Sequence, residues 1–117
     1  MNLFKMLGSL GNLAKVQQEI QAVTDELARV HYEGKAGGGM VTVTVNGAQR
    51  MVSCAIDPKL VADDDRELIE DLIVAAVNEA MAEAKRKSAE VMQKKLGERL
   101  NLPDLSELLG SIMPKNQ

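Results

Sequence analysis

Val41-Thr42-Val43-Thr44-Val45 alternates apolar and polar residues without a break, and Asn46-Gly47 follows at once. A period of two suits a strand with one buried face and does not suit a helix. Asn-Gly is a favoured centre of a type I′ turn, in which both central residues need φ > 0, so the chain is predicted to double back there. Met40 to Val45 is then a central strand, Arg50 to Ile56 its return, and His31 to Lys35 a shorter first strand. A three-stranded antiparallel meander of this size cannot stand alone and needs a helix on one face.

Helical patterns lie on both sides of it. Met6, Leu13, Val16, Ile20, Val23, Leu27 and Val30 are apolar, and from Leu13 onward they step by three and four. That spacing predicts an amphipathic helix from about Gly11 to Arg29 with a heptad seam, free to pack on its own domain or on a second chain. Asp57-Pro58 stops the last strand. "KLVADDD" reads as a connector, with Asp64 and Glu67 spaced as a capping box. A long helix follows from Asp65 to about Leu96, with Gly97 as its C-terminal stop. Leu68, Ile69, Leu72, Ile73 and Val77 give it a broad apolar face, and Ala76, Ala80, Ala84 and Ser88 form a small-residue row that permits close helix approach. At ~1.5 Å per residue such a helix reaches ~45 Å, so part of it is expected to project or to meet another protomer. Beyond Gly97, Leu102, Leu105, Leu108, Leu109 and Ile112 would share one face of a short helix opening at Pro103. The expected organisation is one α+β domain over residues 1–100 and a marginal, mobile Leu-rich tail over 101–117.

The glycines of "GKAGGGMVTVTVNG" invite comparison with a phosphate-binding loop. Such a loop needs a lysine followed by Ser or Thr and then a helix, whose N-terminus supplies the donors. Here a strand follows instead, so the stretch reads as a turn. His31 is the single histidine, which leaves zinc sites and Ser-His triads short of parts. Asp57, Asp63, Asp64, Asp65, Glu67, Glu70 and Asp71 lack calcium-loop spacing and suit a solvated helix start. Cys54 lies in a strand with no base beside it and reads as a small packed residue. As a lone cysteine it excludes an internal disulfide and fits a reducing compartment. No enzymatic activity, cofactor, metal or small-molecule substrate is expected. No apolar run approaches the ~20 residues that cross a bilayer, and the expectation is a soluble, cytoplasmic protein without a membrane partner.

Phe4 and Tyr32 are the only aromatics, too few to stack the bases of a single strand. The net charge of −3 is no nucleic-acid signature either, but its distribution is uneven. Asp57 to Asp71 carries a net −5, whereas Glu83 to Arg99 carries a net +3 from Lys85, Arg86, Lys87, Lys94, Lys95 and Arg99. Complementarity to the helix dipole with local ion pairing accounts for that gradient. The functional alternative is a basic strip that, doubled in a dimer, grips phosphates in two places.

"GGGMVTVTVNGAQRMVSCAIDPKLVADDDRELIEDLIVAAVNEAMAEAK" resembles the core of the YbaB/EbfC nucleoid-associated protein family, and "GNLAKVQQEIQ" fits its N-terminal helix. The resemblance rests on the alternating strand ending in Asn46-Gly47, on Ile56-Asp57-Pro58, and on Glu70-Asp71-Leu72 with Ala75-Ala76 and Asn78. It runs in collinear order over about residues 8–95. It implies a tweezer-like homodimer with the sheets at its centre and helices as arms, located on a bacterial or plastid nucleoid. It further implies binding of double-stranded DNA with little or broad sequence preference, to organise the chromosome or modulate gene expression. Family contacts on the projecting helices map here to Lys15, Arg29, Lys85, Arg86, Lys87, Lys94 and Lys95. The Leu-rich tail departs from the short tails of that family. An alternative is a protein-interaction adaptor that uses the heptad helix and the tail.

Overall fold

The computed structural model describes residues 3–100, with side chains from residue 13 onward. The tail over 101–117 and the side chains of Phe4 and Met6 lie outside the described residues. The order is helix α1 (Leu3–Leu27), strands β1 (His31–Ala36), β2 (Val41–Asn46) and β3 (Met51–Ile56), a short helix α2 (Pro58–Ala62), and the long helix α3 (Arg66–Arg99). This is the α+β arrangement that the periodicities predict. The strands form one antiparallel sheet in the order β1-β2-β3.

The alternation in β2 works as its pattern dictates. Val41, Val43 and Val45 are fully buried, while Thr42 and Thr44 are half-buried on the other face. With Tyr32, Leu60, Ala76, Ala80 and Ala84 the valines form the hydrophobic core. The small-residue row of α3 is buried along its length, and Ala76, Ala80 and Ala84 join the core that includes the sheet valines and Tyr32. A Cβ on Gly34 of β1 would collide with the Ala76 carbonyl oxygen and the Ala80 amide nitrogen of α3. Glycine against alanine thus lets strand and helix backbones touch. Ser88 ends the row with a buried hydrogen bond, its hydroxyl donating to the Gly47 carbonyl at 3.0 Å.

The two hairpin turns use glycine for different reasons. Gly37, Gly38 and Gly39 all adopt positive φ, as the turn reading of the glycine stretch requires. Gly47 does not, and the predicted type I′ turn is absent. Instead the Asn46 side chain accepts from the amides of Ala48 and Arg50, and Gln49 takes the left-handed conformation at φ 63°. Gly47 is required by proximity: a Cβ there would lie 2.5 Å from the Leu27 carbonyl oxygen. Its amide donates to the carbonyls of both Leu27 and Val30, each at 2.9 Å.

Both ends of α1 and both ends of α3 differ from the sequence reading. α1 begins at Leu3 and ends at Leu27, so Gly11 lies inside it; glycine costs a helix interior only about 1 kcal/mol against alanine and does not itself halt it. Gly97 is likewise inside α3. The cap of α3 is Asp65, whose side chain accepts from the Leu68 amide at 3.1 Å, and Asp64, placed in the left-handed region at φ 54°, does not open the helix. The connector holds α2, capped by Asp57 accepting from the Lys59 amide at 2.8 Å, with Pro58 in its first turn.

β3 departs most from expectation. Met51 to Ala55 are all exposed, Met51 and Val52 at 48% and 49%. Cys54 pairs with the buried Val43 yet is itself exposed, which corrects its reading as a packed residue. The cause is the placement of α3, which covers β1 and β2 and leaves the edge strand β3 bare. The pairing also slips between Thr44 and Val45, so that Ser53 faces Thr44 but Met51 faces Val45.

The chain divides into two compact units. Glu26–Ser88 holds the sheet, α2 and most of α3. The other comprises the helical segments up to Asp25 and from Ala89 on, where Val23 is fully buried and Arg99 reaches Glu19 at 3.7 Å. The heptad seam of α1 is only partly covered: Leu13 and Ile20 remain exposed.

Candidate nucleic-acid interface

The seven cations singled out from the sequence fall in both units. Arg29, Lys85, Arg86 and Lys87 belong to Glu26–Ser88, and Lys15, Lys94 and Lys95 to the other. Lys15 is exposed on α1, Lys94 is exposed on α3, and Lys95 beside it is half-buried. Arg29 is exposed but is not on a helix: it sits in the turn after α1, its amide donating to the Glu26 carbonyl at 3.1 Å. Arg99, which adds to the positive charge of this stretch, is ion-paired to Glu19.

The triplet Lys85-Arg86-Lys87 is exposed because the buried row fixes the roll of α3. Ala84 and Ser88 face the sheet, so the three residues between them face away or to the flanks. Their environments then diverge. Glu83, one turn back, sits at the spacings of three and four that bring helical side chains together. Its carboxylate accepts from Arg86 Nη2 at 3.0 and 3.2 Å and from Lys87 Nζ at 2.8 Å. Those two hydrogen bonds, Lys87's foremost, hold the Glu83 carboxyl below the usual glutamate range, so it is ionised at neutral pH. Lys87 also lies 5.9 Å from the centre of the Tyr32 ring, at the outer reach of a cation–π contact. His31, Tyr32, Glu33, Glu79, Glu83 and Lys87 line an open, polar cleft there. The sequence reading named the cations and general i,i+4 pairing but not Glu83 as the residue that holds two of them.

Arg50 is a further exposed cation, in the β2–β3 turn, which the count of helical charge passed over. Among the described residues no three His, Cys, Asp or Glu side chains form a group that could hold a metal ion. No helix among them is long and apolar enough to cross a membrane.

The model of the YbaB/EbfC DNA-binding family matches residues 1–99. A nucleoid-associated protein of Chlorobium phaeovibrioides is 43% identical over 106 residues, which cover 87% of this chain and 95% of that one. Another from Mesorhizobium japonicum is 43% identical over 90 residues, covering 77% and 80%. Among solved structures, an uncharacterized protein of Helicobacter pylori superposes with a TM-score of 0.58 at 24% identity, over 68% of this chain and 92% of its own. That likeness concerns the fold alone.

Proposed function

Since the chain belongs to the YbaB/EbfC DNA-binding family, we propose that it binds duplex DNA as a homodimer, with little or broad sequence preference. Its relatives' description as nucleoid-associated supports a place on the bacterial nucleoid, organising the chromosome or modulating gene expression. The observation that carries the reading is the exposed cationic run of α3, on a chain whose overall charge is negative. Phosphate contact by Lys15, Arg29, Lys85, Arg86, Lys87, Lys94 and Lys95 positions the protein without reading bases. No catalytic role is assigned to any residue.

The bare strand β3 supports the homodimer. An edge strand with exposed Met51 and Val52 and an unpaired backbone edge calls for a partner, and a second copy offers the same surface in return. The adaptor reading has less behind it, because the family match and the curated relatives point to DNA.

Titration with duplex DNA at several salt concentrations tests the proposal. Affinity is expected to fall steeply as salt rises, because each phosphate contact releases counterions. Neutralising Lys85, Arg86 and Lys87 together is expected to weaken binding to unrelated sequences alike and to flatten that dependence. Binding insensitive to salt would exclude a phosphate-driven mode.

A further inference from the structure

Two of the three cations in the Lys85-Arg86-Lys87 triplet of the proposed DNA contact are already engaged by an anion of this chain. Arg86 places one guanidinium nitrogen against both oxygens of Glu83, and the Lys87 ammonium lies against Oε1. A carboxylate so placed presents two oxygens to two cations, much as a phosphate does. We propose that Glu83 is a built-in competitor of the DNA backbone for Arg86 and Lys87, and that it sets the affinity of the contact. The proposal rests on the DNA-binding reading above and names a regulator of that same surface.

The physical case has three parts. First, exposed ion pairs at this spacing hold weakly, and Arg86 and Lys87 keep side-chain exposures of 59% and 48%, so phosphate can displace Glu83. Second, displacement does not remove the acid. Glu83 remains ionised and anchored on the same helical turn, adding repulsion next to the incoming phosphate. Third, a cation whose charge Glu83 already offsets neutralises less than one phosphate, so it releases less than a full share of the counterions condensed on the DNA and adds less to the salt dependence. Lys85, which Glu83 does not hold, is then the strongest phosphate contact of the triplet.

The decisive comparison sets Glu83→Gln against Glu79→Gln in the 117-residue chain. The second variant removes the same charge from the same cleft but leaves both ion pairs of Glu83 in place. Duplex DNA of one sequence is titrated by fluorescence anisotropy at several salt concentrations, with helix content checked by circular dichroism. Glu83→Gln is expected to tighten binding about threefold to tenfold at moderate salt and to steepen the slope of log K against log salt by about one to two. Glu79→Gln is expected to change affinity by less than about twofold and to leave the slope as it was. Wild-type binding that is salt-dependent but unaltered by Glu83→Gln overturns this proposal alone. Equal gains from both variants also overturn it, since net charge would then suffice. Absence of salt-dependent binding in the wild type and in Glu83→Gln overturns the DNA-binding reading and this one together.

Discussion

Gly47 shows how much a single missing side chain can hold in place. Its amide serves two carbonyls at the end of α1, and its own carbonyl takes the Ser88 hydroxyl. Gly47→Ala puts a Cβ 2.5 Å from the Leu27 oxygen and 2.9 Å from the Leu27 Cβ. Neither atom can step aside freely, so the variant is expected to lose about 1–3 kcal/mol in urea denaturation. A stability equal to wild type would mean that this close approach does not exist in solution. The turn itself was legible from Asn46-Gly47, but its reason was not. Turn statistics point to positive φ, whereas here the constraint comes from a helix end far away in sequence. Glu83 was hidden differently: its spacing from Arg86 and Lys87 is in the sequence, but which of several possible pairs forms is settled only by the roll of α3.

At the scale of elements, the strongly periodic segments were read correctly and the short or aperiodic ones were missed. β2 and the small-residue row of α3 carry their periods openly. α2 does not, because a five-residue helix with a single buried side chain has no period to detect. Leu60, that side chain, is 1% exposed and sits among the core valines. Leu60→Ala is expected to cost about 2–5 kcal/mol, the range for emptying a packed leucine site. A loss below about 1 kcal/mol would show that the core closes without α2. Glycine misled in both long helices, at Gly11 and Gly97, since local propensity is a weak guide where a helix continues on both sides.

The whole molecule depends on what its sequence could least reveal, the openness of β3. "MVSCAI" is as apolar as any buried strand, and nothing in its composition says that α3 stops short of covering it. If a second copy lies against this strand, Val52→Lys is expected to halve the mass measured by sedimentation while leaving the fold intact, because Val52 is exposed within one chain. An unchanged mass with a dimeric wild type would move the interface elsewhere. Pairing of two copies through the bare strand would also make abundance a variable. A chain that pairs through β3 carries its cations once when scarce and twice when plentiful, and the second set engages DNA at the high effective concentration that linkage confers. Coverage of the chromosome would then climb faster than the amount of protein made, so that a modest change in expression separates sparse from dense occupancy.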